Sequence, residues 1–253
     1  MKVLPGNASH IGSRFEQQDA FALSDFADAD FVSHGGYLAV VADGIGGLLH
    51  GMDAANTAVT HFVSQYMAKP RGQSVEDALD AALATANDAV CAAAKRFHCL
   101  GQMGTTLVAA LIWDKHLYWR AVGDSHLYLC RDDRLSQLNA DHNLARSLQI
   151  LVNEGVMSQD EADHHPERQA LECFLGLEEL PMVERNRLPL VLQNNDKLLL
   201  CSDGVDGALS AEEIMAALSE APMTAAQALC DNVLQKQQPF QDNLTAVVLV
   251  YQA

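Results

Sequence analysis

Positive charge is scarce in this chain of 253 residues: 16 Lys and Arg face 33 Asp and Glu, for a formal net charge of −17. That balance argues against non-specific binding to nucleic acid or to an anionic membrane surface. It also opposes recruitment of a phosphorylated ligand, unless bound cations reverse the field locally. Long apolar runs are missing as well. None approaches the roughly 20 residues that a membrane-spanning helix needs, so no membrane insertion is expected. The first residues, Met1 to Asn7, lack the apolar segment of a signal peptide. Cysteine pairs are absent: Cys91, Cys99, Cys130, Cys173, Cys201 and Cys230 are scattered with no Cys-x-x-Cys. Three of them lie inside apolar segments, where a cysteine usually serves as a small buried hydrophobe. A reducing, cytoplasmic setting is expected. There is no linker, low-complexity tract or repeat, so residues 1–253 read as one domain.

What the chain does have is a pair of matching apolar runs, each ending in Asp-Gly. Residues 37–42 lead into Asp43-Gly44-Ile45-Gly46-Gly47, and residues 197–202 lead into Asp203-Gly204. A short unbroken apolar run bounded by turn residues reads as a buried strand. A third acid, Asp242, stands just before the apolar run 244–251. Three carboxylates thus sit at strand ends. If those ends meet, the acids raise each other's pKa unless a cation keeps them ionised. Oxygen-only donors suit a hard divalent ion such as magnesium or manganese. The glycines after Asp43 do not form a P-loop, because Gly-Lys-Ser/Thr is absent.

The remaining pattern is mixed. Apolar spacing predicts a helix over about 52–69 and a second beginning at Ser74, whose Ser-x-x-Asp77 resembles a capping box. Runs at 105–113, 116–122 and 126–130, separated at hairpin length, predict a β-meander. Asp124, in the second of those links, reads either as a turn residue or as another acid at a strand end. Arg14 and Asp19 lie in what reads locally as a surface loop feeding a strand. Residues 141–176 look helical and polar, residues 184–191 look like a strand, and two helices are expected after Ser210 and Thr224. His164-His165 lacks the i,i+4 spacing and the cysteine partners of a zinc site and reads as solvated. Antiparallel strands at both ends, with paired helices between them, predict antiparallel sheets covered by helical layers.

Seven short motifs fall in order along the chain. They are Gly12-x-Arg14 with Gln17-Gln18-Asp19, Asp43-Gly44-Ile45-Gly46-Gly47, Gly104-Thr105-Thr106, Gly123-Asp124-Ser125, Asp141-His142, Ser202-Asp203-Gly204, and Asp242-Asn243-Leu244-Thr245. Together they resemble the PPM family of metal-dependent serine/threonine phosphatases (protein phosphatase 2C-like) in its compact bacterial form. The resemblance implies an α+β fold, a four-layer α-β-β-α sandwich of two antiparallel sheets flanked by helices. It implies two divalent metal ions, manganese or magnesium, held by Asp43, the Gly44 carbonyl, Asp203 and Asp242. A weaker third ion would involve Asp124, with Asp19 in support and Arg14 gripping the substrate phosphate. The expected reaction is hydrolysis of phosphoserine and phosphothreonine in proteins by a metal-activated water. The expected partners are a cognate Ser/Thr kinase and its targets, acted on by a monomer. Residues 141–170 match the flap that tunes substrate choice in such enzymes. The alternative is a pseudo-phosphatase that uses the same fold to hold a partner.

Three positions depart from the family pattern. Gln18 brings an amide where a carboxylate often stands, Ile45 occupies the place of a histidine in animal members, and His126 follows Gly-Asp-Ser where arginine is common.

Overall fold

The unbroken apolar runs arise because both faces of the central strands are covered. In strand Tyr37–Asp43, Leu38, Val40 and Ala42 face helices, whereas Tyr37, Ala39 and Val41 face a second sheet. The strand Lys197–Cys201 divides in the same way: Leu199 and Cys201 pack on helices, Leu198 and Leu200 between the sheets. Side chains alternate along a strand. A strand buried on both faces must therefore be apolar at every position.

The computed structural model describes residues 1–253. In chain order its elements are β1 (Lys2–His10), β2 (Asp19–Leu23), α1 (Ala29–Gly35), β3 (Tyr37–Asp43), α2 (Gly51–Met67), α3 (Val75–Arg96), β4 (Leu107–Trp113), β5 (His116–Val122), β6 (His126–Arg131), β7 (Arg134–Gln137), α4 (Leu144–Asn153), α5 (Gln159–Asp163), β8 (Glu184–Arg185), β9 (Leu190–Val191), β10 (Lys197–Cys201), α6 (Asp203–Asp206), α7 (Ala211–Leu218), α8 (Pro222–Gln235) and β11 (Leu244–Gln252). One sheet runs β1-β11-β10-β6-β7, and the other runs β2-β3-β4-β5-β8 with β9 also on β5. Neighbouring strands pair antiparallel throughout. Helices α2 and α3 cover the outer face of the second sheet through Phe62, Leu79 and Leu83. Helices α7 and α8 cover the first through Ile214, Leu229 and Val233. This is the four-layer α-β-β-α arrangement that the resemblance implied.

Several local expectations need correction. The runs 105–113 and 116–122 do form a hairpin, but the third does not continue a meander: β6 pairs with β10 and β7 in the opposite sheet. Gly123-Asp124-Ser125 is thus a crossing between sheets. Gly123 adopts φ +99°, and a Cβ there would lie 2.6 Å from Thr106 Cγ2, so only glycine fits the corner. The expected strand 184–191 breaks into β8 and β9, because Asn186 bonds Leu117 O through its amide and Pro189 cannot donate to a ladder. The last helix starts at Pro222 rather than near Thr224, with proline in its first turn where a missing N–H is harmless. Ser74 caps α3 by accepting from the Asp77 amide, but only Ser158 and Ser210 form the full reciprocal box with a glutamate. Strands β1 and β7 and helices α1 and α6 are not apparent from periodicity.

Gly6 lets the start of α8 sit directly on β1, since a Cβ there would fall 2.1 Å from the Pro222 carbonyl carbon. Gly6→Ala should lower the unfolding free energy by the upper part of the about 1–3 kcal/mol typical of overpacking, read from urea denaturation. An unchanged midpoint would mean that α8 can shift at no cost.

Candidate metal-dependent phosphatase site

The inner-face rows of both sheets turn polar at the same end. The alternation that buries Tyr37, Ala39 and Val41 between the sheets brings Asp43 next in that row. On β2, Phe21 and Leu23 pack into the interlayer, and Asp19 follows them, directly opposite Asp43 in the ladder. From the other sheet, Ser202 Oγ donates to Asp19 Oδ2 at 2.7 Å and accepts from the Thr245 amide at 3.1 Å. Asp203 starts the one-turn helix α6, and Asp242 lies just ahead of β11. Strand parity and the ends of β10 and β11 thus deliver acids from both sheets to one place.

The backbone of Asp43 is pinned on both sides. Its N–H donates to Thr106 Oγ1 at 2.9 Å, and its carbonyl accepts from the Thr106 N–H and the Thr105 hydroxyl, each at 2.8 Å. Gly44 donates its N–H to Gln18 O at 3.1 Å, and a Cβ on Gly44 would strike Gly51 O at 2.3 Å. Asn243 ties the preceding loop down: its Oδ1 accepts from the Gln18 amide, while its Nδ2 donates to the Ile11 and Glu16 carbonyls.

Asp43, Asp124, Asp203 and Asp242 line one cavity of about 270 Å³, together with Ile45, Gly46, Thr106 and residues 169–171. Asp19 stands behind it, 6% exposed, with Oδ1 lacking any hydrogen-bond partner. Arg14 stands outside, its guanidinium 2.7 Å from Asp242 Oδ2, both side chains nearly half exposed. Gln18 turns its amide onto Glu16 Oε2 at 3.1 Å. The larger cavity of about 590 Å³ lies along β2 and α2 and contains Asp19 as its one acid. Convergence of acids, not volume, singles out the smaller one.

Burial and crowding push these acids toward the protonated form. For Asp43 burial acts first and Asp19, Asp203, Asp242 and Asp124 add to it, raising its pKa well above the usual range. Burial raises Asp19 to about 6, with Asp203 and Asp242 adding and Ser202 and Thr245 opposing. Burial and then Asp203 lift Asp124 to about 7, and burial and Asp242 raise Asp203. No group of three or more His, Cys, Asp or Glu side chains is already spaced as a closed cage for an ion. The acids line walls, and Asp242 is turned onto Arg14.

The sequence motifs contained more of this site than they explained. Thr106, Ser202 and Asn243 lie inside quoted motifs, yet nothing in their spacing revealed that they anchor Asp43, Asp19 and the Arg14 loop. Gln169 and Ala170 fall within the expected 141–170 flap, whereas no motif pointed to Asp206, Tyr128 or Leu171. His164 is 78% exposed at its side chain, in keeping with a solvated loop histidine.

A family model described as "Protein phosphatase 2C" matches residues 7–248. The chain belongs to the protein phosphatase 2C family. It is 34% identical over 222 residues to the serine/threonine protein phosphatase PstP of Mycobacterium tuberculosis, covering 87% of this chain and 41% of that protein. The chain therefore spans about two fifths of that relative's length. It is 33% identical over 171 residues to the serine/threonine phosphatase stp of Listeria innocua, covering 66% of each. A crystal structure of the catalytic domain of PstP in complex with two manganese ions superposes with a TM-score of 0.75 at 28% identity, over 99% of both chains.

The raised acids give a pH test. Asp19, Asp43, Asp124 and Asp203 all have folded pKa values above the usual 3.8. The folded chain holds protons that the unfolded chain releases, so stability falls as pH rises. In chelator-treated protein the melting temperature should drop from 3.8 up through about 6 and about 7, the window set by Asp19 and Asp124. Asp124→Asn should flatten the upper part of that slope. A melting temperature that climbs across the window would show that the cluster ionises without penalty.

Proposed function

We propose that this chain is a metal-dependent protein phosphatase that hydrolyses phosphoserine and phosphothreonine. The observation that carries the reading is the cavity shared by Asp43, Asp124, Asp203 and Asp242, with Arg14 at its edge. A divalent pair suits these residues on chemical grounds. The donors are hard oxygens, their crowding opposes ionisation without added positive charge, and Asp19 Oδ1 is buried without a partner. Asp43, the Gly44 carbonyl, Asp203 and Asp242 would hold the two principal ions, manganese or magnesium. Asp124 would join Asp203 at a weaker third, and Asp19 would brace Asp43 from behind. When bound, such ions supply Lewis acidity that lowers the pKa of water from about 15.7 to about 7.

The chain's own side chains do the rest. Arg14 spends one of its guanidinium donors on Asp242, and its planar fork matches two phosphate oxygens. Thr105 and Thr106 fix the backbone of Asp43, and so the point from which its side chain leaves the strand. Ile45 gives that wall of the cavity no proton donor. The leaving oxygen would therefore take its proton from water. Residues 169–171 close the opposite wall and return from the 141–170 excursion, which supports a role for that flap in choosing substrates. The physiological partners we infer are a Ser/Thr kinase and its targets, met in the cytoplasm by a monomer. No helix is long and apolar enough to cross a membrane.

Hydrolysis of p-nitrophenyl phosphate and of a phosphothreonine peptide should require added manganese or magnesium and stop in excess chelator. Asp43→Ala, Asp203→Ala and Asp242→Ala should each reduce turnover to background while the protein stays folded. Full activity in chelator, or in any of these variants, would remove the metal reading. Arg14→Ala should raise KM by roughly 10–100-fold, corresponding to the about 1.5–3 kcal/mol of a hydrogen bond to a charged group, and Arg14→Lys should recover part of it. Unchanged kinetics would reduce Arg14 to a partner of Asp242.

A further inference from the structure

His126 opens β6 immediately after the corner that carries Asp124, and its ring stands between two carboxylates from distant parts of the chain. Nε2 lies 2.8 Å from Asp141 Oδ1, and Nδ1 is in ion-pair contact with Asp206 Oδ2. The ring is 12% exposed and Asp206 is 6% exposed. Each acid is braced a second time. Tyr128 Oη donates to Asp206 Oδ2 at 2.6 Å, and Gln137 Nε2 donates to Asp141 Oδ1 at 3.1 Å.

The two carboxylates have different allegiances. Asp206 closes α6, the single turn that begins with Asp203. Asp141 stands where the chain leaves for α4 and α5. That excursion is closed at its base by the Asn143 bridge to Leu171, and by Leu144 N–H to Ala170 O and Ala145 N–H to Arg168 O at 2.9 and 2.8 Å. Its returning residues 169–171 form a wall of the acidic cavity, and Asp203 forms another. His126 touches both carboxylates and lines a neighbouring cavity of about 400 Å³ that shares Asp124, Gln169 and Asp203 with the first. A buried ion pair is a poor source of net stability, because desolvation offsets most of the attraction. Fixed relative geometry is what it supplies.

We propose that His126 is a positioning residue: its ring locks the α6 turn that carries Asp203 to the base of the 141–170 excursion, holding acid and cavity wall in one relative placement. The proposal rests on the phosphatase reading for its kinetic consequence, but its structural consequence can be measured without any activity.

His126→Gln keeps a planar polar side chain but offers its donors from a single nitrogen, so it serves one carboxylate at a time. His126→Arg restores donors on separate nitrogens. With p-nitrophenyl phosphate and saturating manganese, His126→Gln should lower kcat by about 10–100-fold, the range typical for partners that orient a metal ligand, with KM little changed. Trypsin should cut faster after Arg146 and Arg168, inside the excursion. His126→Arg should recover most of both effects. Asp206→Asn should resemble His126→Gln, and the double variant should be no worse than either single one, since the two act as a unit. Wild-type kcat and an unaltered tryptic pattern in His126→Gln would overturn the proposal. So would equal losses in the Gln and Arg variants that follow a falling melting temperature, because those mark a merely structural residue. If the wild type hydrolyses no phosphate ester, the phosphatase reading fails instead, and the tryptic pattern still decides the clamp.

Discussion

Mutual repulsion among aspartates at one end of an apolar interior is the constraint on which the site depends. Two like charges 4 Å apart cost about 4 kcal/mol at an effective dielectric of 20, and here four acids share one cavity with a fifth behind it. A marginally stable domain tolerates this only where the backbone is over-determined. That is what the polar ends of the inner rows provide. Thr105 and Thr106 hold Asp43, Ser202 holds Asp19, and Asn243 holds the loop that leads from Arg14 to Asp19. The apolar interlayer fixes where the strands end, and the hydroxyls and amides at those ends hold the backbone from which the acids project.

Much of this was legible in the sequence, because strands buried on both faces leave unbroken apolar runs, and a run that stops at Asp-Gly marks the position of a carboxylate. The elements that escaped did so for identifiable reasons. Strand β1 contains Pro5, Gly6 and Asn7, which read as a loop, but it lies at a sheet edge where its one partner, β11, tolerates a proline. The corner at Asp124 has the length of a hairpin link, and local sequence cannot say whether the next strand turns back or crosses to another sheet. Helix α6 is too short to show a period. Arg14 was legible as a candidate phosphate ligand, but not its contact with Asp242. That contact depends on two segments 228 residues apart.

The cavity walls differ in how firmly they are built. Asp43 ends β3, Thr106 stands immediately before β4, and Asp203 lies two residues beyond β10, all at the ends of strands paired within a sheet. Residues 169–171 instead belong to a returning loop, tied by a few backbone bonds at 143–145. One wall on strand ends and one on a loop is a division that lets the second vary while the first stays fixed.

The pairing of the first strand with the last has a consequence for how the molecule is made. Strand β1 has β11 as its sole neighbour, in register from Lys2 opposite Gln252 to His10 opposite Leu244. During synthesis, residues 2–10 emerge well before their partner and wait, unpaired, until residues 244–252 have followed. Asp242 and Asn243 arrive with that last strand, so neither the Arg14 loop nor the acidic cavity can be assembled on a nascent chain that stops short of it. A product truncated before β11 would thus be left with open sheet edges and an incomplete acidic cavity, exposed to proteolysis.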